Sequence, residues 1–437
     1  MSKGFESLVD LKFFTFVRGF RAESAGLWFL CLYILFEYIR PQGMYRVIDI
    51  LPWGLVTLIL LLISTVLTRS RSIGFGLMEK MFVAMTLIVI FSAVFAWNPH
   101  ASLKIWVTFT SWVIMYYCLI SILTTPARIY LFVIFFILIN FKLSQHGART
   151  LAVRGFDFTR WGLSGSPGWF HNSGEFSLQM VVLFSISLSL LRSLKSQITS
   201  RFRWWVLLIL FPGTAFLSVI GSSSRGGQIA LAAVLFFFLF KWKHFFRVAL
   251  VVSLLIFLTP YLIPEEQMAR FETMGSDPTS QYRLMHWENA YETIKQNPMG
   301  IGYNNWVSYY KRHFDVPVYQ AIHNTILQAF AELGYIGGIL FLIMLVTSFR
   351  MNARTVREML VINELETVTI ASIAQGINLG LLGTLVASIF MSVLYYPMFW
   401  LAFALTSALK HISNKKIEDL KNLNNNSINS NGYCKDI

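Results

Sequence analysis

Apolar stretches of bilayer length recur along almost the whole of this chain. WGLVTLILLLISTVL (53–67), LMEKMFVAMTLIVIFSAV (77–94) and YIGGILFLIMLVTSF (335–349) are three examples. In hydrocarbon no water is present to satisfy backbone N–H and C=O groups, so segments of this kind must be helices. A helix needs about 20 apolar residues to cross. Only 13% of the 437 residues are charged, against about 25% in soluble domains. The fold class expected is therefore all-α, a polytopic integral membrane protein. Twelve helices are predicted, at 25–39, 53–68, 77–96, 103–123, 127–141, 174–191, 204–220, 226–240, 245–263, 325–349, 369–394 and 397–409.

Sidedness follows from the basic residues. Compact clusters occur at Arg69/Arg71, Arg192/Lys195/Arg201/Arg203, Lys241/Lys243/Arg247 and Arg350/Arg354/Arg357. Cytoplasmic loops carry such excess, which puts both termini inside. The net charge of +14 is scattered over these loops, so nucleic acid is not an expected partner. The organisation predicted is a cytoplasmic interfacial segment at 1–24, transmembrane helices 1–9 over 25–263, a large periplasmic loop at 264–322 between helices 9 and 10, helices 10–12 over 323–410, and an Asn-rich disordered cytoplasmic tail at 411–437. Within the large loop, Gln281–Gln296 suits a helix that ends at Asn297-Pro298. A second long outer segment is expected at 142–173. Cys31, Cys118 and Cys434 have no metal-ligand spacing and imply no disulfide framework.

A few polar residues in this apolar chain need a reason. GSSSRGG (221–227) joins two apolar runs at an outer turn. Its glycines let the backbone bend and a ligand approach closely. The next helix begins here, so its positive dipole end faces the outer interface, where anions bind. Arg225 adds a forked cation suited to phosphate oxygens, with Ser224 and Gly226 beside it as substrate-contacting positions. Arg283 sits in QYRLMHW of the large loop. His323, in AIHNTILQAFAELG, marks where that loop re-enters the membrane and can take a proton from a hydroxyl. Asn324 can cap the helix that follows. Glu332 lies inside a span, where carboxylates are costly. On one straight helix it stands about half a turn out of phase with His323. His171 and Glu175, in GWFHNSGEF, sit at another outer helix start. Taken alone, each of these residues also suits a structural role, such as snorkelling, solvation or helix capping. Tyr395, Tyr396 and Trp400 read as an aromatic interface belt.

Together, SSSRGGQIALAA (222–233), YRLMHWENAYETIKQNPMGIGYNNW (282–306), HNTILQAFAELGYIGGILF (323–341) and SVLYYPMFWLAFAL (392–405) resemble the O-antigen ligase and polymerase superfamily of bacterial envelope glycosyltransferases. The resemblance spans roughly residues 165–405. It implies a transferase in the bacterial inner membrane, with its active site facing the periplasm and needing neither metal nor other cofactor. The donor it implies is a glycan on undecaprenyl diphosphate. The acceptor would be lipid A–core, a growing glycan or a protein side chain. Arg225, Arg283 and His323 match the family's functional arginines and histidine, and the catalytic role passes to them on that basis. Ser224, Gly226, Asn324, Glu332, Glu175 and His171 are assigned to substrate binding.

Bare chemistry is consistent with this. A departing diphosphate gains negative charge, and two arginines at a helix N-terminus stabilise it. Within the superfamily a ligase is favoured over a polymerase of repeat units. A lipid-glycan transporter is the rival from another class. Such folds pair two similar halves, and no repeat is visible here. The chain also lacks a P-loop, a dinucleotide glycine fingerprint, HExxH and GxSxG, so energy-coupled chemistry on a nucleotide is unsupported.

Overall fold

The computed structural model describes residues 5, 8–9, 13–68, 75–157, 162–198, 200–239, 278–314 and 320–432, and the regular structure among them is helical, with no strand. Helices of eight or more residues are numbered α1 Phe13–Arg21, α2 Ala25–Ile34, α3 Trp53–Leu67, α4 Leu77–Val94, α5 Trp106–Ile122, α6 Pro126–Val153, α7 Ser173–Ser193, α8 Arg201–Leu208, α9 Thr214–Gly221, α10 Arg225–Leu239, α11 Pro278–Gln296, α12 Trp306–His313, α13 Thr325–Ile362, α14 Leu365–Ser388 and α15 Pro397–Gly432.

Six helical stretches among the described residues are long and apolar enough to cross a bilayer. They are Leu77–Val94, Pro126–Val153, Ser173–Ser196, Arg201–Gly221, Thr325–Ile362 and Leu365–Ser388. The pair Phe14–Arg21 and Ala25–Ile39, bent by 117°, makes a seventh if taken as one span. Three expected spans are the shorter apolar helices α3, α5 and α10. The span expected at 245–263 lies outside the described residues. The span expected at 397–409 is the start of α15, which is not among these helices, so the described residues do not reach the expected count of twelve.

Some boundaries differ from those expected. Helix α6 continues through Val153, so the first third of the predicted 142–173 loop is helical. Ser144 explains part of this, because its carbonyl accepts the Ser218 hydroxyl at 2.9 Å and holds α6 against α9. The segment from 411 also differs: α15 stays helical to Gly432 rather than becoming irregular. Its polar side chains find partners on neighbouring helices. Lys410 pairs with Glu358 at 2.9 Å, His411 with Glu79 at 3.0 Å, and Lys416 with Glu364 at 2.8 Å. Residues 433–437 lie outside the described residues.

The centre of the bundle is built on close backbone approach. On α14, Gly376, Gly380 and Gly383 face Ile186, Val182 and Val181 of α7. A Cβ on Gly376 would come within 2.9 Å of the Ile186 Cα. Hydrophobic burial drives little association inside lipid, so small residues that maximise van der Waals contact do this work. Trp400 and Tyr395 are 1% and 7% exposed. Both belong to this core and not to an interface belt, which corrects the sequence reading. Trp400 packs edge-on to Phe82 of α4 and Phe109 of α5.

Helix α13 is broken. Gly334 has φ 70° and ψ −176° inside it. A break inside a span exposes backbone groups that must be matched elsewhere. The loop after α11 matches them: Ile301 N–H donates to the Ala331 carbonyl at 2.9 Å, Gly302 N–H to the Glu332 carbonyl at 3.0 Å, and Tyr335 N–H to the Pro298 carbonyl at 3.0 Å. Helices α11 and α12 add a small core of their own, with Ala290, Ile294, Ile301, Trp306, Tyr310 and Ile322 buried together with Ala331 of α13. Helices α11 and α12 are thereby locked to the first turns of α13.

Candidate functional site

Two turns and one linker build the site. The first turn is Ser222–Ser224 between α9 and α10. Ser223 takes φ 54°, and the Ser224 hydroxyl accepts the Gly227 N–H at 3.3 Å. Ser224 is thus a helix cap as well as a neighbour of Arg225. The turn is packed from two sides. Leu163 N–H donates to the Gly221 carbonyl at 3.0 Å, and Gly226 lies against Phe390, where a Cβ would meet the Phe390 ring at 3.3 Å. Gly226 therefore serves close packing. Arg225, half-buried, opens α10.

The second turn is His323-Asn324. His323 has φ 55°, a left-handed conformation that histidine seldom takes. Asn324 caps α13, its side-chain oxygen accepting the N–H groups of Ile326 and Leu327 at 3.0 and 3.1 Å. That oxygen is committed to the fold.

The linker is Phe390–Val393, between α14 and α15. Phe390 packs on Gly226 of the first turn. Two residues on, the Ser392 hydroxyl accepts the His323 N–H at 2.9 Å. The Thr325 hydroxyl donates to the Met391 carbonyl at 2.7 Å and accepts the Val393 N–H at 3.0 Å. Four consecutive residues thus tie the Arg225 turn to the His323 turn. Met391 also lies against Gly174 at the start of α7.

Arg283 reaches the same place from α11. Its positive charge, together with His286, acts on the His323 ring. Burial is the larger cause, and together they lower the His323 pKa from 6.5 to about 4. His323 is therefore neutral at physiological pH and able to accept a proton. Helix α11 is held over this turn by Trp287, whose indole N–H donates to the Ile322 carbonyl at 3.0 Å. Behind Arg283, His286 is fully buried with its Nδ1 2.9 Å from the Tyr310 hydroxyl, and burial lowers its pKa as well.

Glu332 is 2% exposed. Its carboxylate accepts the Tyr395 hydroxyl at 2.6 Å, the Trp306 N–H at 3.0 Å and the Gln328 amide at 3.3 Å. His323 precedes α13 in a left-handed turn, so the phase of one straight helix does not fix where it stands relative to Glu332. Ile322, Glu332 and Ser392 line one cavity of about 310 Å³. Glu175 meets the cavity through one of its lining residues, Tyr396. Asn172 donates to it at 3.3 Å, and it bonds the Tyr396 hydroxyl, raising that tyrosine's pKa beyond what burial alone does. His171 is exposed and joins none of these contacts.

Several neighbours went unread in the sequence. Ser392 is an ordinary serine in SVLYYP. Glu37, in FEYIRPQG, accepts the Trp169 indole N–H at 3.0 Å. Trp169 then stands edge-on to Tyr396 at 5.0 Å. The Pro and Gly punctuation around both tryptophan and tyrosine was the available signal.

Residues 206–342 match the model of a protein family described as O-antigen ligase. No curated protein matches the chain. The matched stretch contains Arg225, Arg283, His323 and Glu332. It bears out the resemblance drawn from the sequence, and supports a multi-pass membrane glycosyltransferase of the ligase or polymerase type, working on lipid-linked glycans.

Proposed function

We propose that this protein, through the O-antigen ligase family matched by its central third, moves a glycan from undecaprenyl diphosphate to an acceptor hydroxyl at the periplasmic face of the inner membrane. The observation that carries the reading is the convergence on His323 of Arg283, from α11, and of the linker that packs on the Arg225 turn. Sidedness is supported by charge. The Arg225 turn, the His323 turn and the loop at 297–305 lie at one end of the bundle. Arg192, Lys195, Arg201, Arg203, Arg350, Arg354 and Arg357 sit at the ends of α7, α8 and α13 away from it.

In the reaction, the acceptor oxygen attacks the anomeric carbon as the bond from that carbon to the diphosphate oxygen breaks. The bonding pair leaves with the diphosphate, and the hydroxyl proton passes to the free nitrogen of His323. Attack opposite the leaving group inverts the anomeric centre. Arg225 and Arg283 carry the charge that builds on the diphosphate. Donor binding also tunes the base. A diphosphate against Arg283 offsets the cation that depresses His323, so the histidine becomes a better proton acceptor once the donor is seated. Acid–base work of this kind contributes roughly 10²–10⁴-fold.

A lipid A–core acceptor, making the protein a ligase, is the reading we favour within the family. The test is transfer by purified protein in lipid bilayers, with wild type, Arg225→Ala, Arg283→Ala and His323→Ala at equal membrane levels. Loss of about 10²–10³-fold in each variant supports the roles, and retained transfer overturns them. In cells lacking the protein, uncapped lipid A–core with accumulated lipid-linked polymer identifies a ligase. Single-repeat products identify a polymerase.

A further inference from the structure

The cavity beside His323 has a character unlike that of the arginine cluster. Its volume is about 310 Å³, at the lower end of the range for small-molecule pockets, roughly 300–1,000 Å³. Aromatic walls come from Trp169, Trp306 and Tyr396, and the planar polar groups of Asn304, Gln328 and Glu332 complete it. No arginine or lysine is among the described lining residues, and the one acidic side chain there is Glu332. A diphosphate would lose its hydration in such a pocket without meeting a cation among the described lining residues.

Aromatic faces beside fixed amide and carboxylate groups suit a different ligand. A sugar ring presents apolar C–H faces and a rim of hydroxyls, each able to donate and accept. Gln328 has such a rim position: its amide nitrogen donates to Glu332, and its side-chain oxygen has no partner among the described residues. A sugar hydroxyl donating to that oxygen would satisfy it. The aromatic walls are themselves positioned. Trp169 is held by Glu37 at 3.0 Å and Trp306 by the Gln320 carbonyl at 3.1 Å.

We propose that this cavity is a carbohydrate subsite, holding one neutral sugar ring against Trp169 and Tyr396 with a carbon or hydroxyl turned toward His323, while the arginines hold the diphosphate. The inference rests on the glycan-transfer reading and adds the division of the substrate between two chemically distinct halves. The ring could belong to the donor's first sugar or to the acceptor.

The test is binding without turnover, on the full-length protein in detergent. Three probes are titrated separately: a lipid-free oligosaccharide acceptor, a short polyprenyl diphosphate without sugar, and the same lipid carrying one sugar. Gln328→Ala and Tyr396→Ala are compared with Arg225→Ala, each first checked for an unchanged thermal midpoint. Loss of about tenfold in oligosaccharide affinity in the first two variants, with bare polyprenyl diphosphate unchanged, supports an acceptor ring. A collapse of the affinity gap between glycosylated and bare lipid supports a donor ring. If neither change occurs while Arg225→Ala still weakens the bare lipid, the subsite is refuted and the diphosphate reading stands. If Arg225→Ala leaves every lipid probe unchanged while the sugar effects persist, the subsite survives and the assigned arginine role fails.

Discussion

Gly300 and Gly334 meet backbone to backbone, one in the loop after α11 and the other at the break in α13. A Cβ on Gly300 would approach the Glu332 carbonyl oxygen to 2.5 Å, and one on Gly334 would approach the Pro298 oxygen to 2.6 Å. Both residues have positive φ, 83° and 70°.

Alanine at Gly334 therefore meets a disfavoured φ and a backbone clash together. Strain of this kind costs about 1–3 kcal/mol before the clash is added. Gly334→Ala should unfold at a clearly lower temperature in detergent and lose transfer, and Gly300→Ala should do the same. Melting curves for the two proteins, set beside wild type, check this. An unchanged midpoint for both would mean that the break is not a constraint.

The pH dependence follows from His323. Its folded pKa is depressed, so it is neutral over the physiological range. The stability tied to that neutral form is fully present above about 6.5 and is lost as pH falls toward about 4. For catalysis, kcat/KM reports the free protein and should fall only near pH 4, whereas the acid limb of kcat, set by the donor complex, should lie higher. In Arg283→Gln a depressing cation is gone, so the acid limb of kcat/KM should move upward even as the rate drops. A limb that stays in place would separate Arg283 from His323.

Ser392→Ala removes the acceptor of the His323 N–H. The backbone there is already in a left-handed conformation, and losing its anchor lets the ring drift. We expect kcat to fall by up to about tenfold, with little change in the apparent donor affinity, because an unmatched N–H costs about 1–3 kcal/mol. Ser392→Thr, which keeps the hydroxyl, should recover most of the rate. Steady-state kinetics on the two variants distinguish positioning from general loss of fold.

The Glu332–Tyr395 pair invites a double-mutant cycle. Tyr395→Phe leaves a buried carboxylate one donor short, and Glu332→Gln places an amide where acceptors are needed. We expect each to lower thermal stability and the pair to be non-additive by about 1.5–3 kcal/mol, the range for hydrogen bonds to charged groups. Additive losses would show that the 2.6 Å contact contributes little.

Arg225→Lys is the fifth comparison. Lysine keeps the charge and loses the fork, so transfer should recover only in part relative to Arg225→Ala. Gly227→Ala reaches the same arginine indirectly, because a Cβ there runs into Ser177 of α7 and must shift the turn. Full activity in Gly227→Ala would show that the turn tolerates displacement.

Much of this was legible because membrane helices announce themselves by apolar length, and because loop glycines, arginines and histidines stand out against such a background. Helix α11 and the cap at Asn324 were read correctly from Pro, Asn and helical periodicity. The partners of His323 were not legible. Ser392 lies 69 positions away, and only the folded bundle brings the linker to the turn. The burial of Tyr395 and Trp400 was missed for a similar reason. Aromatic residues beside a proline look the same in sequence whether they face headgroups or a neighbouring helix. The helical segment beyond residue 411 was missed because its low hydropathy hid the ion pairs it makes with α13, α4 and the start of α14.

The broken α13 also bears on how such a chain is assembled. The carbonyls of Ala331 and Glu332 find their donors in the loop preceding the helix, not within the helix itself. Such a segment cannot reach its final state as an autonomous rod; it waits until the loop before it has curled back onto it. Completion of this end of the bundle is therefore coupled to the docking of that loop, and the last step of folding joins segments far apart in the chain.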